Sequence, residues 1–409
     1  MKLNKRILFG GLALASVAPM ISLSAACVNE NKAEPKKEFT YQDFLTFFQE
    51  KFPTLTDAQK QEFVDSLDTK NILTQQQKVE IIQKLNKNAG KIGSVVWFVK
   101  SAEAKVAQLQ SYALAKAAFD NLIKNAENKF DLTKVNHTTG SVTNPENGKF
   151  IPAVFMDIDE TVFANDYSEA KSMRDGFKPS DKEQYDIKGI RKAIPGAIDF
   201  INYVFEKGGQ VFFNSNMNQK KEVIEGLKKN LERAGVKKQY IKDWMFWLKQ
   251  VNPIKGENSY DDAPWMQMNG RQNISKNTRM NAMSDNTEGW NFKKSDANSG
   301  DKVKLRVTMK IGDDFNDFYD DAYKYLPMEE RNKYIDTIKE LLTKVEGTKG
   351  KRYDNKTKTF TELEWQQFLV QTPSNAMYGG WEKQLNYGEY KTLWEQIEKI
   401  INDPQDLKE

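Results

Sequence analysis

The chain has 409 residues, of which 39% are hydrophobic and 29% charged, and a formal net charge of +4. Three of its 61 bases (Lys2, Lys5 and Arg6) lie in the first 26 residues, which hold no acid, so residues 27–409 carry 58 bases against 57 acids. Near-neutrality does not indicate a general nucleic-acid or anionic-membrane binding surface, so no nucleic-acid polymer is expected as a partner, while a local basic patch stays open; a single cysteine excludes a disulfide framework or a thiolate metal cluster.

The basic first residues lead into an apolar run from Ile7 to about Ile21, which has the length of a signal-peptide core and is too short to span a bilayer. The run ends at Leu23-Ser24-Ala25-Ala26-Cys27, which resembles a bacterial lipobox. Residues 1–26 are therefore expected to be a lipoprotein signal peptide and Cys27, the only cysteine, the lipidated residue. An ordinary secretory signal with a coincidental cysteine is the alternative. Acyl chains on Cys27 would hold the protein on the extracellular face of the cell membrane at about 0.8 kcal/mol per buried methylene. Residues 27–37 are polar and without periodicity, as expected of a tether.

Residues 38–91 have helical patterning and an internal repeat, Leu55-Thr56 to Leu67 recurring 18 residues on as Leu73-Thr74 to Leu85. In each copy a threonine can cap a helix and the glutamine three positions on can return the bond. An αα-hairpin on the next domain and a separate interaction module both fit. A long helix is expected from Ile92 to about Asn125, followed by a Gly/Thr/Asn-rich break over 136–147. After it the pattern alternates: strands near 150–157, 210–215, 243–248 and 305–311, helices over 195–207, 219–234 and from about 315. Such alternation predicts an α/β fold, a Rossmann-like parallel sheet flanked by helices, with a helical subdomain built from the segments before and after it and a helical N-terminal extension. Residues 250–304 interrupt it with an Asn-rich excursion, either an active-site flap or a surface insertion. From Met328 onward helices are expected.

The strand through Phe155 ends in Asp157-Ile158-Asp159-Glu160-Thr161, at the edge where open α/β sheets bind ligands. Carboxylates at i and i+2 on a turn leaving a strand can approach one group from two sides, one attacking and the other exchanging protons. The next strand ends in Ser215-Asn216 before a helix, which suits either a phosphate or a plain helix cap. A third ends in Gly312-Asp313-Asp314, with Asp317 beyond. Asp157 and Asp313 could supply the one or two carboxylates that a Mg²⁺ site needs.

In this order the three elements resemble the haloacid dehalogenase superfamily, and within it the class C acid phosphatases, surface lipoproteins that include 5′-nucleotidases. Trp97 with Ser101-Ala102-Glu103, Ile194-Pro195-Gly196-Ala197 and Tyr378-Gly379-Gly380-Trp381 add to the resemblance. It spans a phosphatase domain over residues 92–385, with a C-terminal helix over 386–409. The resemblance implies that Asp157 is the nucleophile, Asp159 the general acid and base, and Ser215 with Asn216 the phosphate-binding group. It further implies Mg²⁺ held by Asp157, Asp313 and the main-chain carbonyl of Asp159, with Asp317 orienting the site. The phosphate-binding cation is expected to be Lys276, because Ser275-Lys276-Asn277-Thr278-Arg279 resembles the family's Lys-x-x-Arg segment at a helix start; Lys255, Lys293, Lys294, Lys302 and Lys304 are its rivals. Two departures bear on substrate preference: Met217 stands where the family usually has arginine, and no tryptophan precedes Ile194. The expected activity is hydrolysis of small-molecule phosphomonoesters at the cell surface. A surface-binding lipoprotein on an inactive phosphatase scaffold, or a phosphotransferase, is the alternative.

Overall fold

In the computed structural model the described residues are 93–175, 178–251, 274–290, 292, 302–375, 396 and 399. The expected signal peptide, Cys27, the 27–37 tether and the 38–91 repeat lie outside them. The single helix expected from Ile92 is two: residues 93–100 are helical, and Ser101 then caps α1 (Ala102–Lys124) by accepting a hydrogen bond from the Ala104 amide at 3.0 Å. The small Ala115 and Ala118 on the buried face of α1 let its backbone approach the core, with Tyr112, Phe119 and Leu122 filling the space around them.

In chain order there follow β1 (Ile151–Met156), α2 (Asp166–Asp175), α3 (Pro179–Ile187), α4 (Ala197–Glu206), β2 (Gln210–Phe213), β3 (Asn218–Gln219), α5 (Lys221–Ala234) and β4 (Gln250–Val251). Then come α6 (Lys276–Asp285), β5 (Leu305–Gly312), α7 (Asn316–Tyr323), α8 (Met328–Thr343), β6 (Thr348–Asp354) and β7 (Thr359–Gln371). The main sheet has the order β2-β1-β5-β7-β6, parallel except for β6, and β3 pairs with β4 in a small second sheet. Every residue of β1, β2 and β5 is buried, because helices cover both faces of a parallel sheet.

Two expectations are corrected. The strand expected near 243–248 is a 3₁₀ turn (Asp243–Met245) followed by one bridge from Phe246 to Phe213. A straight strand would send Trp244 and Trp247 to opposite faces, yet both rings pack on Phe212, at 5.7 and 5.8 Å between centroids. The chain after Met328 is not all helix, since β6 and β7 form an antiparallel hairpin. Its turn is set by Asp354, whose side chain accepts from the amides of Lys356 at 2.7 Å and Thr357 at 3.1 Å. The outer half of β7 pairs only with β6 and stays largely exposed, so it is polar; its inner end, Phe368–Gln371, pairs with β5 and is mostly buried. Of residues 386–409 only 396 and 399 are described, and both are helical.

Lys310, in the middle of the buried β5, is a charge the core accommodates poorly. Its ammonium donates to the Phe318 carbonyl at 3.0 Å and sits 3.7 Å from the Tyr319 ring centroid. Burial pushes it down to about 7, with only Asp320 opposing. An unfolded lysine titrates near 10.4, so between about 7 and that value the unfolded chain binds more protons and stability attributable to Lys310 rises with pH. Denaturant unfolding between about pH 6 and pH 10 should show the gap between wild type and Lys310→Met moving in favour of wild type by about 1–4 kcal/mol. A gap independent of pH would contradict this account.

Candidate active site

The sheet register brings three strand ends to one edge. Met156 is level with Phe213 on one side and Ile311 on the other. The pairing continues one step beyond β1: the Asp157 amide donates to Ile311 at 2.9 Å, and the Asn214 amide to Met156 at 2.8 Å. Asp157, Ser215 and Asp313 thus emerge together at the carboxyl edge, where they line a cavity of about 300 Å³. The turn after β1 is fixed by Glu160, at a φ of 57°, and by Tyr112 of α1, whose hydroxyl donates to the Thr161 carbonyl at 2.6 Å. Thr161 in turn donates to Asp313 at 3.2 Å.

Lys276 enters this acidic edge from α6. Ser275 caps that helix, and the amides of Lys276 and Asn277 donate to Asp320 of α7 at 3.0 and 2.8 Å, so α6 is anchored to the helix that follows Asp313. The Lys276 ammonium donates to Asp317 at 2.6 Å and to Asp157. Burial disfavours its charge, but the carboxylates of Asp157 and Asp317 outweigh burial and raise it above the ordinary lysine value. Burial pushes Asp317 up to about 8, with Asp157 and Asp314 adding to the rise and Lys276 opposing it. Asp317 reaches the site because Gly312 has no side chain: a Cβ there would stand 2.0 Å from the Asp317 carboxylate.

Asp159 has the opposite surroundings. Lys182 of α3 donates to both its oxygens, at 3.0 and 3.1 Å, and Arg191 reaches it at 2.7 Å. Burial would raise its carboxyl, yet Lys182 and Arg191 hold it well below the usual carboxylate range. Both cations are braced by the buried Asp186, at 2.7 and 3.3 Å. Sequence reasoning missed Lys182, Arg191 and Asp186. The only local trace is that Lys182 and Asp186 are four residues apart on one helix face.

The donor set fits a hard divalent cation. Carboxylate oxygens of Asp157, Asp313 and Asp317 lie within 4.8 Å of one another. Asp313 is raised well above its ordinary value by burial and then by Asp317, Glu160 and Asp157. One oxygen of the fully buried Glu160 has no hydrogen-bond partner. Crowded carboxylate oxygens, opposed by one bonded lysine among the described residues, suit a hard divalent cation better than a soft metal. Asp317 joins this group as well as meeting Lys276.

The other expected residues fall as follows. Ser215 and Asn216 both line the cavity, but Ser215 is not a helix cap: its hydroxyl accepts from the Met217 amide at 3.3 Å, and α5 begins only at Lys221, after β3. The helix amides expected beside Ser215 are therefore not there. Asn214, unremarked in the sequence, donates to the Lys276 carbonyl at 3.2 Å. Among the rivals of Lys276, Lys302 is exposed and 3.8 Å from Glu288, and the Lys304 carbonyl accepts from Ile151 at the far end of β1. Lys255, Lys293 and Lys294 lie outside the described residues.

The family model for the haloacid dehalogenase superfamily, subfamily IIIB (acid phosphatase), matches residues 68–381. The match starts before the 92–385 span read from motifs and takes in the second copy of the N-terminal repeat. Two solved structures of the class C acid phosphatase from Bacillus anthracis, one with tungstate bound, each match 80% of this chain and 99% of their own at 20% identity, with TM-scores of 0.47. No curated protein matches. The chain belongs to the haloacid dehalogenase superfamily, subfamily IIIB, the acid phosphatases, and is a phosphoric monoester hydrolase.

Proposed function

We propose that this acid phosphatase is Mg²⁺-dependent, works through an aspartyl-phosphate on Asp157, and acts on small phosphomonoesters, 5′-nucleotides among them, outside the cell. The observation that carries the reading is the clasp of Lys276 between Asp157 and Asp317, beside Asp313 and Ser215 in one cavity. A lysine so held presents a compact positive charge to a phosphate that enters against Asp157. Ser215 and Asn216 supply neutral groups to the same phosphate from the end of β2.

The first half-reaction forms a bond from an Asp157 oxygen to phosphorus and breaks the ester bond, whose oxygen takes a proton from Asp159. In the second, Asp159 takes a proton from water, the water oxygen attacks phosphorus, and Asp157 is released with inorganic phosphate. The contacts from Lys182 and Arg191 favour the ionised Asp159 that the second half needs; the proton it gives in the first half has to be taken up from solvent, to which it is about a quarter exposed. Mg²⁺ held by Asp157, Asp313 and the Asp159 carbonyl, with Asp317 adjoining, would neutralise charge on the phosphoryl oxygens. A lipid on Cys27 would keep the enzyme on the outer face of the membrane, following the lipobox resemblance; among the described residues no helix is long and apolar enough to cross one.

Two assays of the purified enzyme on p-nitrophenyl phosphate test the chemistry. Asp157→Asn should abolish turnover, and Asp159→Asn should lower it by about 10²–10⁴-fold. Turnover by Asp157→Asn, with deamidation excluded by mass spectrometry, would remove the covalent mechanism. Chelation should stop the wild type and Mg²⁺ restore it; full activity in excess chelator would reduce Asp157 and Asp313 to structural acids.

Removal of the cation tests the clasp. Lys276→Ala should lose about 10²–10³-fold in kcat, while Lys302→Ala, at the surface beside Glu288, should stay near wild type. Near-normal turnover in Lys276→Ala would hand phosphate neutralisation to another group.

A further inference from the structure

The phosphate proposed to sit against Asp157 uses Lys276, and Lys182 is engaged by Asp159 and Asp186. Two further lysines near the cavity have no such employment. Lys324, at the end of α7, lines the cavity together with Met217 and Ser215. Lys249 is tied to the same wall, its amide donating to the Met217 carbonyl at 3.0 Å. Among the described residues neither ammonium has a carboxylate partner. Near Lys249 is Arg279, one turn along α6 from Lys276. It is fully buried, and none of its three guanidinium nitrogens has a hydrogen-bond partner. Leaving a buried guanidinium unsatisfied is costly unless its charge serves a nearby anion.

We infer that Lys249 and Lys324, backed by Arg279, form a second anion subsite at the rim of the active site, which selects phosphomonoesters whose leaving portion carries a phosphate or carboxylate of its own. The inference rests on the phosphatase reading of the site and adds the substrate class. Proximity of the three cations has an electrostatic sign: burial, then Lys324 and Arg279, lower Lys249 below the ordinary lysine value, with Asp320 opposing. Burial likewise lowers Arg279, to about 10, with Asp320 opposing most and then Asp157, two acids that line the cavity. Asp320 opposes Lys249 and Arg279 electrostatically without bonding to either ammonium or guanidinium, so an arriving anion adds stabilisation, and Met217, hydrogen-bonded through its backbone to both Lys249 and Ser215, brings no charge that competes for it.

Matched substrates test this. Phosphoserine differs from phosphoethanolamine by one carboxylate, and a sugar bisphosphate from the corresponding monophosphate by one phosphate; the two pairs separate the two anions. In at least one pair the wild type should favour the more acidic member by roughly tenfold in kcat/KM, mostly through KM. That ratio should shrink in high salt and fall to about one in the double variant Lys249→Gln/Lys324→Gln. Wild type without a preference in either pair, or a double variant that loses both members of a pair alike, would overturn the subsite. Inactivity of the wild type on all four compounds and on p-nitrophenyl phosphate would instead sink the phosphatase reading, and the subsite with it.

Discussion

Everything at the carboxyl edge of the sheet depends on offsetting negative charge. Asp157, Asp313 and Asp317 approach one another within 4.8 Å, and Glu160 adds a buried carboxyl to the same neighbourhood. Left alone, such a group would resist ionisation, since burial and mutual repulsion act in one direction. Lys276 is the positive charge bonded to two of these acids. Its position is a requirement for the site's electrostatics as much as a feature of its shape.

The architecture can be read as the means of holding that lysine and those acids in register. A parallel sheet delivers Asp157 and Asp313 from neighbouring strands at the same level, which no single loop could do with equal rigidity. The lysine comes from a helix 119 residues away in sequence, and that helix is fastened to α7 by hydrogen bonds to Asp320. Asp320 therefore serves the site without touching a phosphate. Gly312 does so by vacancy, since any side chain there would strike Asp317.

What was legible in the sequence follows from the same physics. Strands buried on both faces are apolar throughout and are bounded by the acids they present, so β1, β2 and β5 and the residues at their ends stood out together. The β6–β7 hairpin was hidden because it lies at the sheet edge, where solvent allows lysine and glutamate along a strand. The run at 244–248 misled for a different reason: a buried apolar stretch marks burial without fixing the backbone path, and both tryptophans turn to one side. Lys182 was hidden among ordinary helix-surface lysines, because its role depends on α3 being brought over the turn that follows β1.

The two aspartates of the Asp157-x-Asp159 turn show how two residues of one type acquire different tasks from their neighbours. Asp157 is buried, faces other acids and touches Lys276; Asp159 is about a quarter exposed and held by two cations from α3 and the loop before α4. Asp157 is thereby placed against the point where a phosphate would be neutralised, as a nucleophile must be. Asp159 is oriented from the opposite side and keeps contact with solvent, as a group that exchanges protons with water must. Environments that pull paired carboxylates apart are how one residue type performs two functions at a single pH. Here the separation comes from long-range contacts: α3 and the loop before α4 supply the partners of Asp159, and α6 supplies the partner of Asp157. The division of roles between residues only two apart is therefore a property of the tertiary fold.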